Sequence, residues 1–303
     1  MTKHLKYLLF SLYMVLLPPA LQAQDDLLSL AEAADSSDTG KVTGAFKATR
    51  LVNGHSVETN GQQELLFLIS HRFGTLNSGA YNLFGLDQAT IRLALEYGIT
   101  DRLTAGIGRS SLEKTYDGFL KYKLLQQRQG AVPVTLTLFS SAAINTLRNE
   151  NPERDVPFSS RLAYTSQLLV ARKFNERLSL QLAPSWVHRN RVATRQDENE
   201  VFAVGAGGRF KLTKRVSFNA EYYYVLPGET ADDYINSLSL GFDIETGGHV
   251  FQLIFTNAQG MVEKFFIPQN TGVWSDGDIY FGFNISRVFS LKKEKDLKNE
   301  KAW

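Results

Sequence analysis

The chain has 303 residues, no cysteine and a formal net charge of +2. The absence of cysteine excludes a disulfide framework and a lipid anchor on an N-terminal cysteine. The nearly neutral charge gives no electrostatic reason to expect nucleic acid as a partner. A chain of this length can form one large all-β domain or two smaller domains.

Residues 1–23 have the pattern of a secretory signal peptide. Lys3 and Lys6 precede an apolar stretch at 7–17, and Ala23 supplies a small residue before the expected cleavage ahead of Gln24. The alternative is an uncleaved anchoring helix, but the apolar stretch is shorter than the roughly 20 residues that span a bilayer. Because no other stretch is long and apolar enough for a transmembrane helix, the sequence predicts that any membrane residence is through strands.

Residues 24–61 form an N-terminal lead-in whose position the sequence leaves open. The part at 24–41 is polar and acidic, which is typical of a solvated segment. Residues 42–52 could be a strand, and turn signals follow at Asn53-Gly54 and Asn60-Gly61. The lead-in is predicted to be periplasmic or lumenal.

From residue 62 onward, apolar residues alternate with small or polar residues. In the stretch 88–99, Ile91, Leu93 and Leu95 alternate with Arg92 and Glu96. This period of two predicts strands with one apolar and one polar face. The predicted strands are 62–73, 88–99, 102–109, 117–127, 132–145, 161–173, 177–188, 200–211, 215–226, 235–245, 249–257 and 278–289.

Short and long connections alternate between these strands, as periplasmic turns and outer loops do in outer-membrane barrels. Twelve strands also return the chain to the side on which it entered, whereas counting 42–52 as a strand would break this parity. The sequence therefore predicts an all-β fold, a closed antiparallel up-and-down membrane β-barrel of about twelve strands over residues 62–289. A charged tail follows at 290–303.

The predicted lumen is lined by small residues and isolated charges. The charged candidates are Arg72, Arg92, Glu96, Arg161, Arg209, Glu221 and Asp243. They could form a constriction that selects small solutes, or they could pair with one another inside a narrow barrel, which we favour. Aromatic residues near the strand ends, such as Tyr97 and Tyr222, are typical of interfacial girdles.

Residue types used in catalysis are present but are not arranged for it. His55, His71, His188 and His249 are not at metal-ligand spacing, so we predict no metal and no cofactor. Ser56 lies beside His55 and near Glu58, but neighbouring positions on a strand or turn point apart. We therefore predict no enzyme and no catalytic residue.

The longest aromatic loop spans 257–278 and contains Phe265, Phe266 and Trp274. It could plug the lumen, cap the mouth or present a binding surface. Inward packing is favoured because a large exposed apolar patch is unfavourable in water.

Several stretches together resemble a known family. They are FKATRLVNGHSVET at 46–59, ELLFLISHRFG at 64–74, residues 85–111 and residues 249–289. They resemble a Bacteroidota family of predicted envelope β-barrel proteins that is classed as a domain of unknown function. The resemblance implies a barrel in the outer membrane and supplies no reaction, substrate or catalytic residue.

The expected function is that of a porin-like outer-membrane barrel, acting as a channel, transporter or surface scaffold with a polar charged lumen. Expected partners are outer-membrane lipid, the barrel-assembly machinery and a small solute, but not nucleic acid. The alternative is a soluble secreted or periplasmic β-barrel that binds a small apolar ligand. That alternative requires the apolar faces to point inward and lysines outward.

Overall fold

The structure is a computed structural model that describes residues 40–42, 44–149 and 156–292. The predicted signal sequence with its cleavage site near Ala23, residues 24–39 and the tail from 293 lie outside the described residues. No helix in the described ranges is long and apolar enough to cross a membrane.

Twelve antiparallel strands form one closed barrel. Each strand pairs with its neighbours in sequence, and the last pairs with the first, with Ser70 opposite Asn284. The strands are β1 (Glu64–Thr75), β2 (Ala89–Thr100), β3 (Leu103–Ser110), β4 (Tyr116–Leu125), β5 (Thr135–Ile144), β6 (Leu162–Lys173), β7 (Leu178–Arg189), β8 (Glu200–Lys211), β9 (Val216–Val225), β10 (Ser237–Thr246), β11 (His249–Thr256) and β12 (Tyr280–Ser290). The predicted twelve-stranded up-and-down barrel is confirmed.

The apolar residues of the strands point away from the barrel axis. On β2, the side chains of Ile91, Leu93, Leu95, Tyr97 and Ile99 are 38% to 45% exposed on the outer surface, whereas Arg92 and Glu96 are buried. A soluble ligand-binding barrel needs the reverse arrangement, so the faces contradict that alternative. The outer surface matches the lipid-facing band of a membrane barrel.

The two ends of the barrel differ. One end carries the tight connections at 101–102, 174–177, 212–215 and 247–248, the connection at 126–134, the start of β1 and the end of β12. We call this the turn end, which faces the periplasm in outer-membrane barrels. The opposite end, the loop end, carries the longer connections, including 190–199 and 257–279.

Residues 44–61, which we call the lumenal segment, lie inside the barrel and form no strand of the wall. The segment enters at the turn end and reverses at 51–54, where the Leu51 amide donates to the Gly54 carbonyl at 2.8 Å. It then returns to the turn end before β1 begins. The lumenal position is one of the two that the sequence left open, and the exclusion of 42–52 from the wall agrees with the strand order.

The connection after β11 enters the lumen from the loop end. Its one-turn helix α1 (Glu263–Phe266) is buried, and Phe266 and Ile267 pack with Val187, Val201 and Tyr223 of the wall. Trp274 is half-buried at the rim and donates its indole N–H to the Leu238 carbonyl at 2.9 Å. The lumen is thus filled from both ends.

Candidate functional site

Most of the predicted lumen charges lie in the filled lumen. The six buried ones are Arg72, Arg92, Glu96, Arg209, Glu221 and Asp243. Arg161 is the exception, and its assignment to the wall was wrong. Because β6 begins at Leu162, Arg161 ends a 3-10 turn outside the strand, and its guanidinium donates to the Asn145 and Leu147 carbonyls of the same loop.

The tip of the lumenal segment is held by wall side chains. The carboxylate of Glu221 on β9 accepts the backbone N–H groups of Val52 at 3.3 Å, Asn53 at 2.7 Å and Gly54 at 3.1 Å. Arg72 on β1 donates to Asn53 Oδ1 at 2.7 Å. A Cβ at Gly54 would overlap the Tyr223 hydroxyl, so only glycine lets the backbone approach the wall this closely.

The flanks of the lumenal segment are also bonded to the wall. The ammonium of Lys121 donates to the carbonyls of Thr49 at 3.2 Å, Ser56 at 3.0 Å and Glu58 at 2.8 Å. Gln181 accepts the Val57 amide at 2.9 Å and donates to the His55 carbonyl at 2.8 Å. These side chains satisfy backbone groups that a neighbouring strand would satisfy in a sheet, which explains how an irregular segment can be buried.

An ion cluster marks the place where the lumenal segment meets the outer loop. Arg50 lies 3.6 Å from Glu96 of the wall and 3.5 Å from Glu263 of α1. His55 lies 3.8 Å from the same Glu263 oxygen, and its ring packs against Phe119 and Phe139. At these distances Arg50 attracts the two carboxylates as an ion, and neither it nor His55 forms a hydrogen bond with them. The segment and the loop are therefore joined more loosely to each other than to the wall.

Arg92 does not pair with Glu96, although the two share a face of β2. Instead, Arg92 makes a bidentate pair with Asp117 on β4, with Nε–Oδ1 at 2.9 Å and Nη2–Oδ2 at 2.5 Å. Glu96 faces Arg50. The charges therefore pair inside the lumen, as favoured from the sequence. Their partners, Asp117 for Arg92 and Arg50 for Glu96, were not among the seven predicted lumenal charges.

Sequence reasoning missed Asp117, Lys121, Arg50 and Glu263. Asp117 and Lys121 could have been found, because outward Tyr116, Leu120 and Tyr122 alternate with inward residues along β4. Arg50 and Glu263 lie in segments without periodicity, so no local pattern could place them.

The side chains of His55, Ser56 and Glu58 have different partners and do not form a catalytic triad, although the Glu58 backbone N–H donates to the Ser56 hydroxyl at 3.3 Å. The Ser56 hydroxyl donates to the Ala48 carbonyl at 2.6 Å, and Glu58 accepts the Phe46 amide at 3.2 Å. In the part of the chain that the structure describes, no group of three or more His, Cys, Asp or Glu residues could hold a metal ion.

Two aspartates fix the connections at the loop end. Hydrogen bonds from the Val273 amide and the Asn77 side chain lower the pKa of Asp278. Burial raises the pKa of Asp197, but hydrogen bonds from Thr194 and Ala231 outweigh it, so this pKa also falls below its ordinary value. Both carboxylates are therefore charged anchors at neutral pH.

Comparison with known proteins supports the membrane interpretation of the faces. The model of a family described as "Membrane bound beta barrel domain (DUF5777)" matches residues 46–289. The matched range begins in the lumenal segment and ends in β12. No curated protein matches this sequence.

The fold is similar to several solved barrels at low sequence identity. The NanC porin is 10% identical, with 75% of this chain and 100% of that chain covered and a TM-score of 0.46. The KdgM porin is 8% identical, with 75% and 99% covered and a TM-score of 0.43. The COG4313 outer membrane channel from Pseudomonas putida F1 is 14% identical, with 77% and 97% covered and a TM-score of 0.42. At these scores the similarity carries no argument about the lumen or its substrate.

Proposed function

Because this chain belongs to the family of membrane-bound β-barrel domains, we propose that it is an outer-membrane solute channel closed by its own lumenal segment. The observation that carries the proposal is that residues 44–61 lie in the lumen, enclosed by the wall, and that wall side chains form hydrogen bonds with their backbone. Removal of the segment from the lumen would open the turn-end half of the path and would take Arg50 and His55 away from Glu263 of α1, which closes the loop-end half.

The number of strands indicates a lumen that is too wide to be filled by the side chains of the wall alone. Barrels of about eight strands are filled by their own side chains, whereas those of about sixteen leave an aqueous channel. A twelve-stranded barrel lies between these sizes. Here the extra space is taken by the lumenal segment and by α1, and not by larger wall residues, since Gly98, Gly205 and Gly207 lie on the inner face.

The chemistry of the inner wall supports a lumenal segment that can be released, and in this role we call residues 44–61 the plug. An interior that serves only stability can be apolar, and apolar replacements of buried ion pairs are often neutral or stabilising. This lumen instead presents Glu221, Lys121 and Gln181 to a peptide backbone. Water can replace such hydrogen bonds, each of which contributes about 0.5–1.5 kcal/mol net between neutral groups and about 1.5–3 kcal/mol where one group is charged. The apolar contacts of Phe46, Leu51 and Val57 oppose release.

A surface scaffold is the second candidate. It is favoured by the outer loop, which buries Phe265 and Phe266 in the lumen and so closes the barrel from the loop end as well. A scaffold would keep both closures permanently, whereas a channel must release them.

The test replaces residues 44–58 with a Gly/Ser sequence of equal length and measures the current in planar lipid bilayers. We expect the variant to conduct steadily and the wild type to remain closed for most of the time, because the replacement removes the side chains and apolar contacts that hold the plug. A variant with the same treatment of residues 191–193 at the loop end, which leaves Thr194 on Asp197, serves as the control and should behave as the wild type. If the plug variant folds but carries no current, the proposal that the lumenal segment closes the channel is overturned, and the permanent closures of a scaffold are favoured.

We propose that the protein is located in the cell envelope, and more specifically in the outer membrane of a Bacteroidota cell. The proposed partners are outer-membrane lipid, the barrel-assembly machinery and a small solute. We expect the protein to fractionate with outer membranes and to migrate faster in detergent gels before heating than after, because a closed barrel resists detergent. Recovery in the soluble periplasmic fraction would contradict this location.

A further inference from the structure

The plug and the outer loop, residues 257–279, fill the lumen from opposite ends and pack against different parts of the wall. Phe46, Leu51 and Val57 of the plug belong to one hydrophobic cluster, with residues of β4 to β7. Phe266 and Ile267 of the outer loop belong to another, with residues of β7 to β9. Each closure therefore has its own apolar contacts with the wall.

The two closures meet at a buried group of charges, which we call the junction. Arg50 of the plug lies 3.5 Å from Glu263 of α1 and 3.6 Å from Glu96 of the wall, and His55 lies 3.8 Å from Glu263. All four residues are less than 5% exposed. Among the described residues, Arg50 Nε, Glu263 Oε1 and both carboxylate oxygens of Glu96 have no hydrogen-bond partner. Buried polar atoms are rarely left in this state, so the docked arrangement is held least firmly at the junction.

Arg50 is the cation that balances Glu263. Two other cations lie nearby, but each has a carboxylate of its own. Arg92 forms its bidentate pair with β4, with Nε–Oδ1 at 2.9 Å. Lys264, which follows Glu263 in α1, donates to a carboxylate in the connection between β3 and β4 at 2.8 Å. The charge of Glu263 therefore depends on a partner that the plug supplies.

Departure of the plug would affect the two carboxylates of the junction differently. Glu96 would keep the attraction of Lys121, which belongs to the wall. Glu263 would lose Arg50 while α1 was still packed among apolar wall residues. A buried charge that loses its partner strongly destabilises the state that buries it. We therefore expect α1 to leave its docked position more readily once the plug has gone.

We propose that the two closures are coupled through Arg50 and Glu263, so that the docked plug keeps the outer loop closed and release of the plug loosens the loop. The coupling is reciprocal, because an interaction free energy acts equally on both partners. A solute would meet two gates in series that open together. The role of the coupling in solute passage rests on the proposed channel function, whereas the coupling itself can be measured without a current.

Amide hydrogen exchange of the protein in lipid vesicles measures the coupling. The Phe265, Ile267 and Gln269 amides donate to backbone carbonyls within the outer loop, so their exchange reports the opening of α1. We expect Arg50→Met to accelerate exchange at these amides by at least about tenfold, because Glu263 remains buried without its cation.

A second substitution distinguishes lost charge balance from lost packing. Glu263→Gln in the Arg50→Met background leaves no uncompensated charge on α1 and should return exchange at 265–269 to within a few-fold of the wild type. The matched control is Lys47→Met, which removes another cation of the plug. Lys47 pairs at 3.0 Å with Glu245, near the turn end of β10, so its loss should leave exchange at 265–269 unchanged.

The three variants together decide whether the closures are coupled. Rescue by Glu263→Gln with no effect of Lys47→Met supports the coupling. It is overturned if Arg50→Met leaves exchange at 265–269 unchanged, if Lys47→Met accelerates it equally, or if the double variant exchanges no more slowly than Arg50→Met. Equal acceleration in β1 and β12 would place the effect of Arg50→Met on the wall and overturn the coupling as well.

The channel function is judged separately, by the current of the Gly/Ser plug variant. A steady current without the exchange effect of Arg50→Met would retain the channel and remove the coupling. The exchange effect without a current would retain the coupling and remove the channel. The failure of one proposal is thus distinguishable from the failure of the other.

Discussion

Substitution of Glu221 with alanine should release the tip of the lumenal segment and leave the barrel wall intact. The carboxylate accepts three consecutive backbone N–H groups, those of Val52, Asn53 and Gly54. Each buried donor that loses its acceptor destabilises the docked tip by about 1–3 kcal/mol. The wall loses none of its backbone ladder, because Glu221 faces the lumen on a strand whose pairing does not involve its side chain.

Amide hydrogen exchange at residues 52–54 provides the measurement. We expect exchange at these amides to accelerate by at least about 100-fold, which corresponds to about 2.7 kcal/mol of lost protection. Planar bilayer recordings of the same variant should show more frequent openings than the wild type.

Asp243→Asn is the control for Glu221→Ala. Asp243 is a buried lumenal carboxylate on the neighbouring strand that accepts from Gln252 at 2.8 Å, and Gln252 also donates to the Leu51 carbonyl. The asparagine removes the charge but keeps an oxygen that can accept from Gln252, so exchange at 52–54 should stay within a few-fold of the wild type. Equal acceleration by both substitutions would mean that any lost lumenal charge loosens the plug, and the specific role of Glu221 would be wrong.

The wall of the barrel could be predicted from sequence because every strand lies between two different environments. On β2 the alternation of Ile91, Leu93 and Leu95 with Arg92 and Glu96 reports lipid on one side and a polar lumen on the other. The tight turn at Thr100-Asp101 likewise marks the chain reversal locally. Such signals depend only on nearest neighbours in sequence, so the number, order and faces of the strands followed from them.

The contents of the lumen could not be predicted in the same way. The lumenal segment has an Asn-Gly turn signal at Asn53-Gly54, but its backbone partners Glu221, Gln252 and Asn284 are more than 160 residues away. Nothing near residue 50 in the sequence shows that Arg50 will face Glu263. The error at Arg161 is of a different kind, since a shift of one residue in a strand boundary moves a side chain from the lumen into a loop.

Loss of the bidentate pair between Arg92 and Asp117 should be the most destabilising change in the wall. Both side chains are buried, and removal of either partner leaves an uncompensated charge in a region without free access to water. Such losses reduce the free energy of unfolding by about 3–5 kcal/mol. We expect Arg92→Ala and Asp117→Ala each to show a decrease of this size in urea unfolding of the protein in lipid vesicles. The double variant should lose less than the sum of the two, because it leaves neither charge unpaired.

A third variant tests the geometry of the pair without removing a charge. Arg92 on β2 reaches Asp117 on β4 by crossing the inner face of β3 over Gly108, and a Cβ at Gly108 would overlap the guanidinium. Gly108→Ala should therefore push the two groups apart and destabilise the barrel, although both charges remain. Gly118→Ala on β4 is the matched control, since the nearest atom to a Cβ there is the Gly106 carbonyl oxygen at 3.8 Å.

The comparison of these two glycines separates the pair from general effects on the wall. Both substitutions add one methyl group to a strand and restrict the unfolded chain equally. Because Gly108 faces the lumen and Gly118 faces outward, a lower free energy of unfolding in Gly108→Ala than in Gly118→Ala would place the loss on the lumenal side of the wall, where the Arg92 guanidinium lies. Gly108→Ala should add little to the loss in an Arg92→Ala background, because the group that it displaces is already absent. Full additivity of Gly108→Ala and Arg92→Ala would mean that the methyl group acts on the wall itself, and the crossing over β3 would then not be what holds the pair.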